Sequence, residues 1–353
     1  MQLQRLHRKL RLKLRLLNKE YFKNPDMLRY IRVFYTKLKS EMEDFIMANF
    51  SAKEVNELRK STGVGIMDCK KALIEADGDV EKAITILREK GLATQAKKAG
   101  RVAAEGLVAA IVSEDHSVGA IVEVNSETDF VAKNAEFKEF VNNVAKTVIE
   151  QNPADLDALN NAKMSGSDKT VAESLQDLFL KIRENLQIRR FERLEGILVP
   201  YVHGDGKIGV LVQVACEAGA KPEVLTVAKD CALQIAAMNP AYLCREEVPA
   251  SVLDEEKKIL LAQMAEDPKM ASKPEQVRVK IVEGKVGKYY SENCLLEQDF
   301  VKDPSMSITE YANSVAKTIG SDIKITKFVR YERGEGIEKR ADNFADEVAS
   351  MIK

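Results

Sequence analysis

The sequence predicts an α+β fold built from antiparallel sheets. Residues 107–112 and 121–124 are short runs rich in valine and isoleucine on either side of a polar turn, a pattern typical of a β-hairpin. The pattern returns ninety residues later without a gap, where residues 195–197 (Glu-Gly-Ile) match residues 105–107 (Glu-Gly-Leu). Because hairpins are present and strands do not alternate regularly with helices, we expect a duplicated β-β-α-α-β core instead of a parallel sheet.

Ahead of this core, residues 51–91 predict three short helices. Their apolar faces are expected at Val55 and Leu58 in the first, Met67, Leu73 and Ile74 in the second, and Val80, Ala83, Ile84 and Leu87 in the third. Gly63 is expected to end the first helix, Asp79 to cap the third, and Gly91 to end it. About forty residues bury only a small core, so we expect a docking module, followed by a solvated basic linker at residues 94–101.

Each hairpin of the core is followed by a helix, a second helix and one more strand. The first helices carry their apolar residues at Phe137, Phe140, Val141, Val144 and Val148 in one half, and at Val224, Val227, Ala228, Cys231 and Ile235 in the other. The second helix and last strand of each half are expected at residues 175–182 and 187–193, and at residues 308–319 and 325–333. The motif Arg-Phe-Glu-Arg at residues 190–193 returns as Arg-Tyr-Glu-Arg at residues 330–333, which favours an internal repeat.

The second half contains an insert at about residues 251–289, which predicts two helices around Asp267 and Pro268. Its apolar residues are Leu253, Ile259, Leu260 and Met264 on one helix, and Val277, Val279, Ile281 and Val286 on or near the other. A helical hairpin of this kind either offers a surface to a partner or a second copy, or simply caps the sheet.

After the Gly-Glu-Gly of residues 334–336, a final helix is expected, with Ile337, Phe344, Val348 and Ile352 on its apolar face. The predicted division of the chain is a basic extension at residues 1–46, a three-helix module at 47–99, two core halves at 100–194 and 195–333, and a carboxyl-terminal module at 334–353. The prediction thus has four parts after the extension.

Composition excludes several classes of protein. A chain of 353 residues has room for two or three domains, and its 45% apolar and 31% charged residues are ordinary for a globular protein. No uncharged apolar run approaches the roughly 18 residues that a membrane-spanning helix needs. The five cysteines are an odd number without a Cys-x-x-Cys pair, and there are three histidines. We therefore expect reduced, mostly buried thiols, a cytoplasmic protein, and neither a disulfide framework nor a metal site.

Residues 1–46 differ from the rest of the chain. They contain twelve Lys and Arg against five Asp and Glu, a net charge of +7, whereas the remaining residues carry −8. Three interpretations compete: a basic arm that binds nucleic acid or an anionic membrane, a transit peptide, or an upstream stretch outside the functional protein. The third is favoured, with Met47 as the initiating methionine. A transit peptide is disfavoured, because the stretch has only one serine and an acidic end.

Patterns typical of catalysis are missing from the sequence. Residues 284–288 have part of the spacing of a phosphate-binding loop, but Tyr289 stands where the magnesium-binding serine or threonine belongs. The Gly-Val-Gly at residues 63–65 lies between two helices and not after a strand. His203 is a candidate general base, although an exposed loop histidine is the favoured interpretation beside a glycine-rich turn. We expect a binding protein that is not an enzyme and needs no cofactor.

The most informative stretch is residues 128–131 (Thr-Asp-Phe-Val), called the Phe130 segment below. It lies where the first hairpin ends and a helix begins, so Thr128 or Asp129 is expected to cap that helix. Phe130 precedes Phe137 by seven residues, which on periodicity alone favours a buried aromatic that packs the helix on the sheet.

Four stretches of the chain, taken in order, match one known pattern. They are residues 58–73 (LRKSTGVGIMDCKKAL), the Phe130 segment, residues 201–204 (YVHG) and residues 334–339 (GEGIEK). In this order they resemble the elongation factor Ts family. The resemblance runs from about Ser51 to the carboxyl terminus, matches residues 151–174 poorly, and leaves out residues 1–46.

The resemblance implies an exchange factor that binds the translational GTPase elongation factor Tu in its GDP-bound and nucleotide-free forms. The first three helices look like the family's ubiquitin-associated-type domain, the insert like its dimerisation hairpin, and residues 334–353 like its carboxyl-terminal module. The positions similar to family contacts with the GTPase are Arg59, Ile66, Met67, Lys70 and His203. The Phe130 segment resembles the motif associated with dislodging magnesium, with Asp129 and Phe130 at its tip.

Two other classes stay open at this point. An RNA- or ribosome-associated protein would act through residues 1–46, although the net charge of −8 on the remaining residues is unsuited to phosphate contacts. A metabolic enzyme would need a convergent polar pocket, around His203. The exchange factor is the favoured prediction, with no membrane and no direct nucleic-acid partner.

Overall fold

The structure is a computed structural model that describes residues 50–266 and 273–338. These residues divide into two compact units, with the boundary between Gly91 and Leu92. Several predicted features lie outside the described residues: the basic extension at residues 1–46, the Asp267-Pro268 turn of the insert, and Phe344, Val348 and Ile352 of the final helix.

The first unit contains helices α1 (Ala52–Thr62) and α2 (Ile66–Glu75) and most of α3 (Val80–Lys98). Helix α1 begins at a capping box, in which the Ser51 hydroxyl accepts from the Glu54 N–H and the Glu54 carboxylate accepts from the Ser51 N–H. It ends at Gly63, whose φ of +68° is the left-handed conformation typical of a helix end. As predicted, Val55 and Leu58 are buried.

Helix α3 is longer than the sequence predicts. Asp79 caps it as expected, because its carboxylate accepts a hydrogen bond from the Lys82 N–H at 3.1 Å. The helix then runs through Gly91 to Lys98, so the predictions that Gly91 ends it and that a linker starts at residue 94 are wrong. Glycine inside a helix is about 1 kcal/mol less favourable than alanine, and the helix-forming residues on both sides outweigh that penalty.

The second unit contains two three-stranded antiparallel sheets and a two-stranded ribbon. Its strands are β1 (Glu105–Val112), β2 (Val118–Ser126), β3 (Gln187–Glu195), β4 (Ile197–His203), β5 (Ile208–Ala215), β6 (Asp299–Phe300), β7 (Asp303–Ser307) and β8 (Lys324–Glu332). The strand order is β1-β2-β3 in the first sheet and β4-β5-β8 in the second. Helices mixed with antiparallel sheets agree with the predicted α+β class. The β6–β7 ribbon was not predicted, because strands this short show no periodicity.

The two sheets pack face to face, and each carries helices on its other face. Alternate residues of β1 show this arrangement. Val108 and Ala110 belong to the apolar cluster between the sheets, whereas Leu107 and Ala109 belong to the cluster beneath the helices. Because both faces of the sheet are buried, β1 has a continuous apolar sequence instead of an alternating one.

The described helices of the second unit include the six that were predicted, in the predicted order, and two short ones that were not predicted as separate helices, at residues 129–133 and 156–161. In chain order, these helices are α4 (Asp129–Lys133), α5 (Ala135–Gln151), α6 (Leu156–Asn161), α7 (Val171–Ile182), α8 (Pro222–Met238), α9 (Ala250–Glu266), α10 (Glu275–Asn293) and α11 (Ile308–Ile319). Helix α5 covers the first sheet and α8 the second, and every apolar residue predicted for these two helices is buried. Across the described ranges, no helix combines the length and the apolar content needed to cross a bilayer.

The insert forms a helical hairpin, as predicted, but its apolar face is only partly the predicted one. Helices α9 and α10 bury Leu260, Met264, Val282 and Val286. Ile259, Val277 and Val279, which the sequence analysis assigned to the apolar face, are exposed. Each residue turns a helix by about 100°, so a stripe assigned one position away faces solvent.

The cysteines are unpaired. All five are free thiols, and Cys69, Cys231 and Cys294 are buried, which agrees with the predicted mostly buried thiols. Burial raises the pKa of Cys231 to about 12. This thiol is therefore protonated at neutral pH and unreactive as a nucleophile, because the thiolate is the reactive form.

Candidate functional site

The Phe130 segment lies between β2 and α5 and opens the five-residue helix α4. Phe130 is 79% exposed, although the next two residues, Val131 and Ala132, are buried in the cluster of the first sheet. The prediction of a buried aromatic is therefore wrong. Asn134 separates the two helices and caps α5 with its side chain, so Phe130 and Phe137 do not share one helical face.

A loop from far along the chain holds the start of the segment. The Glu184 carboxylate accepts hydrogen bonds from the Thr128 N–H at 3.0 Å and from the Thr128 hydroxyl at 2.8 Å. The Ser126 hydroxyl donates to the Thr128 carbonyl at 2.9 Å, and the Glu127 carboxylate accepts from the Asn185 N–H at 2.6 Å. Thr128 is the N-cap residue of α4, one of the two predicted, but its hydroxyl binds Glu184 instead of the helix.

Charged groups flank the exposed ring. Lys133 Nζ lies 2.7 Å from Asp129 Oδ2 and 5.9 Å from the centre of the Phe130 ring. The hydrogen bond from Lys133 lowers the pKa of Asp129 below its ordinary value, and the charge of Arg333 lowers it slightly further. The segment therefore presents an aromatic ring with an ionised carboxylate beside it.

An aromatic ring that is exposed to water does not contribute the free energy of burial, which is about 1.5–3 kcal/mol for a large apolar side chain. Single exposed apolar residues are common on protein surfaces. Phe130, however, is the most exposed large apolar side chain in the described part of the chain. It also sits on a helix whose next two residues are buried, so its backbone is held in place. A ring presented in this way fits a protein contact better than a chance exposure.

Replacing Glu184 with alanine should loosen the Phe130 segment. The Thr128 donors would lose their charged acceptor, and we expect a loss of about 2 kcal/mol in the free energy of unfolding in urea. Hydrogen–deuterium exchange at residues 127–131 should become faster. Glu136→Ala is the matched control, because Glu136 makes an exposed ion pair with Lys181 at 2.9 Å, which contributes little. Equal effects in the two variants would contradict the supporting role of Glu184.

In the first unit, the predicted contact residues lie at the end of α1 and the start of α2. Arg59 is exposed in the last turn of α1, and Ile66 and Met67 are 44% and 61% exposed. Lys70 follows Ile66 by four residues and Met67 by three, so these three side chains are neighbours on one side of α2. The face that α2 buries consists of Cys69, Ala72 and Leu73. The prediction that Met67 belongs to this face is wrong, because it lies about 200° around the helix from Cys69.

His203 is the last residue of β4, paired with Ile208, and not a turn residue as predicted. Its side chain is exposed, and Nδ1 lies 3.0 Å from the Tyr201 hydroxyl. A mostly apolar cavity of about 350 Å³ lies beside it. The carboxylate in this cavity, Asp230, accepts hydrogen bonds from Lys302 at 2.6 Å and from the Tyr311 hydroxyl at 2.7 Å, so both of its oxygens are engaged within the chain. Within residues 50–266 and 273–338, no cluster of His, Cys, Asp or Glu is arranged to hold a metal ion.

Glu184 and Asn185, which support the Phe130 segment, were not predicted as functional residues. They lie in the loop between α7 and β3, and no local pattern marks a residue that bonds to a position 56 or more residues away. The one available sign is a short polar run at residues 183–185, between the amphipathic helix α7 and strand β3.

Comparisons with known proteins agree on one family. A family model described as Elongation factor TS matches residues 127–335, more than half of the chain. The chain is 51% identical over 308 residues to the elongation factor Ts of Clostridium kluyveri and 52% identical over 304 residues to that of Clostridium perfringens. It is 48% identical over 306 residues to that of Syntrophotalea carbinolica. These matches cover 85–86% of this chain and 98–99% of each relative.

The chain belongs to the elongation factor Ts family. Membership of this family gives it a role as a translation elongation factor. The span matched by the elongation factor Ts model begins one residue before the Phe130 segment and contains both Glu184 and His203. The support of the segment therefore lies inside the family domain. The resemblance found in the sequence motifs is confirmed by these matches.

Proposed function

We propose that this protein is a guanine nucleotide exchange factor for elongation factor Tu, and that its Phe130 segment disturbs the magnesium and phosphate site of that GTPase. The observation that carries the proposal is Phe130 itself, 79% exposed on an anchored helix within the span matched by the family model. The alternative of an RNA-associated protein depends on residues 1–46, which lie outside the described residues.

The physical requirement is a difference in affinity. GDP and Mg²⁺ hold a GTPase's nucleotide site together through phosphate and metal contacts. A protein that binds the emptied, rearranged site more tightly than the GDP-bound site lowers the affinity for GDP. By reciprocity, GDP weakens the binding of that protein by the same factor. No covalent step is needed, so the protein requires neither a nucleophile nor a general base.

The Phe130 segment has the properties of a wedge. A wedge must keep its position when it meets resistance, and the hydrogen bonds from Thr128 to Glu184 and the buried Val131 support that rigidity. Phe130 can enter an apolar gap without first breaking contacts within its own chain. Asp129, ionised beside it, adds a negative charge where the partner holds magnesium.

Docking requires further surfaces whose contacts persist during exchange. We propose that the first unit acts as a ubiquitin-associated-type docking module, with Arg59, Ile66, Met67 and Lys70 as its contacts. The exposure of Ile66 and Met67 on one side of α2 supports this role. His203, exposed at the end of β4, is proposed as a contact from the core.

We also infer that the core consists of two copies of one unit, covering residues 100–194 and 195–333. Two irregularities of the backbone that occur in both halves support the duplication. Gly106 and Gly196, ninety residues apart, have φ angles of +124° and +126°. The strand pairing shifts register after Glu123 in β2 and after Gln213 in β5, again ninety residues apart. A shared ancestral unit would produce such matching irregularities.

The α9–α10 hairpin is proposed as a contact between two copies of the chain. Its exposed apolar residues support this role, namely Ile259, Leu261, Val277 and Val279. Sedimentation velocity on the chain and on a variant with polar residues at these positions tests the proposal. A wild-type chain that stays monomeric at high concentration would contradict it.

The exchange proposal is tested by mixing the chain with elongation factor Tu loaded with fluorescent GDP, in the presence of excess unlabelled nucleotide. We expect GDP release to accelerate by about tenfold or more. Calorimetry should show tighter binding to nucleotide-free elongation factor Tu than to its GDP–Mg²⁺ form. Equal affinity for the two forms would refute the proposed function.

A further inference from the structure

Glu123 is a fully buried carboxylate in β2, the middle strand of the first sheet. The pairing of β2 with β3 shifts register between Glu123 and Val124, so the backbone is irregular at this position. A charged carboxylate is strongly unfavourable inside a protein unless other groups compensate it. The residues around Glu123 therefore indicate what this carboxylate holds together.

Two arginines and two other donors surround the Glu123 carboxylate. Arg189 Nη1 lies 3.0 Å away and Arg190 Nε 2.6 Å away. The Asn125 amide donates at 3.1 Å, and the Gly334 backbone N–H donates at 2.8 Å. Burial alone would raise the pKa of Glu123, but these hydrogen bonds outweigh it and leave the pKa below its ordinary value. Glu123 is therefore an ionised carboxylate with its hydrogen-bonding capacity used.

The same arginines bind residues 333–336, called the closing segment here, which follows β8. Arg189 donates to the Glu335 carbonyl at 2.6 Å, and Arg190 donates to the Glu335 carboxylate at 3.1 Å. The Gly334 N–H donates to Glu123 itself, so three hydrogen bonds hold the closing segment. A segment that follows the second sheet is thus bound to a charge buried in the first sheet.

The closing segment approaches the start of β1 so closely that residue 334 has to be glycine. Gly334 has a φ of +69°, and a Cβ atom at this position would overlap the backbone carbonyl of Ala104, the residue before β1. Arg333 makes an ion pair with Glu105 at 3.0 Å. The closing segment therefore lies directly against the start of β1, where only glycine fits.

The strands that hold the closing segment also carry the Phe130 segment. Strand β2 contains Glu123 and ends at Ser126, two residues before Thr128. Helix α4 packs on both β1 and β2. The hydrogen bond from Lys133 lowers the pKa of Asp129 most, and the charge of Arg333 makes a smaller contribution in the same direction. The two segments therefore share one support.

We propose that Glu123 is a positioning residue, whose buried carboxylate ties the closing segment to the strands that carry the Phe130 segment. The closing segment then lies at a set distance from Phe130. In its effect on exchange this inference rests on the proposed function, because it requires a partner that contacts both places. The effect that we expect on the free chain does not depend on the proposed function.

The test uses the full chain with Glu123→Gln, which keeps the size of the side chain and removes its charge. Glu192→Gln is the matched control, since Glu192 lies on the neighbouring strand β3 and its carboxylate pairs with Lys327 at the surface. Hydrogen–deuterium exchange is followed in the free chain at the closing segment. We expect at least about tenfold faster exchange there in the Glu123 variant and no change in the control. Unchanged exchange in the Glu123 variant would overturn the proposal.

The second readout is the acceleration of GDP release by the same two variants. We expect the Glu123 variant to need a higher concentration for half-maximal acceleration, with the maximal rate reduced less. Faster hydrogen exchange with unchanged GDP release would overturn the positioning role. A wild-type chain that does not accelerate GDP release would refute the proposed function, while the hydrogen-exchange result would still decide whether Glu123 holds the closing segment.

Arg189→Gln is a milder variant in case the Glu123 variant does not fold. Arg189 is partly exposed and links the Glu123 carboxylate to the Glu335 carbonyl. Its replacement should loosen the closing segment in the same direction and by a smaller factor. A folded Arg189 variant with wild-type hydrogen exchange at the closing segment would also overturn the proposal.

Discussion

Replacing Phe130 with alanine should remove most of the acceleration of GDP release while leaving the stability of the free chain unchanged. The ring is 79% exposed, so the free protein gains little from it. In a complex, truncating a buried aromatic anchor costs about 2–3 kcal/mol, which corresponds to an exchange rate about 30- to 150-fold lower at limiting concentrations. Stopped-flow measurement of fluorescent GDP release, with thermal unfolding of the same samples, checks both parts.

Met238→Ala is the control for this experiment. Met238 is also an exposed apolar residue of the second unit, but it lies at the end of α8 and outside the Phe130 segment. Its replacement should leave GDP release unchanged. If the Phe130 variant stimulates release as well as the wild type does, with the chain folded, the wedge role is excluded and the exchange activity must come from another surface.

Replacing Gly106 with alanine should destabilise the second unit severely. Gly106 has a φ of +124°, which side chains rarely adopt, and its added Cβ would lie 2.7 Å from Asn125 Cα and closer still to the Val124 carbonyl oxygen. Backbone atoms of a paired strand cannot move away without breaking the β1–β2 ladder. We expect a loss of more than about 3 kcal/mol in the free energy of unfolding, measured by urea denaturation.

Gly196→Ala is the matched comparison. Gly196 has nearly the same φ, +126°, but the nearest atom to its added Cβ is the side-chain nitrogen of Gln213 at 3.3 Å, which can move. This variant should show only the backbone strain, about 1–2 kcal/mol. The difference between the two variants measures the close approach of the strands at Gly106. Equal losses would show that the overlap with β2 contributes nothing.

Local periodicity was sufficient for the helices α5 and α8 and for the hairpins of the two sheets. Every apolar residue predicted for α5 and α8 is buried, because an amphipathic stripe repeats through the whole of a long helix. The hairpins β1–β2 and β4–β5 were predicted for a similar reason, since apolar runs flank a polar turn. Prediction failed where the element was short or its neighbours unknown, as in α4 and the insert.

The candidate site shows the same limit. Motif resemblance selected Phe130, but periodicity assigned it to the core, because the break at Asn134 cannot be weighed from spacing alone. Glu184 was missed, since its bond to Thr128 joins residues 56 positions apart. The partners of Glu123 were missed for the same reason, and Glu335 lies more than 140 residues from the arginines that bind it.

The sequence by itself determined the order and type of the main elements, the repeat of the hairpin pattern and the family of the protein. These properties depend on residues a few positions apart or on motifs that can be matched directly. Only the tertiary structure decided that Phe130 and Met67 face solvent and that Glu184 and Glu123 each hold a segment in place. Exposure and long-range hydrogen bonds depend on which distant residues the folded chain brings together, and spacing along the chain does not contain that information.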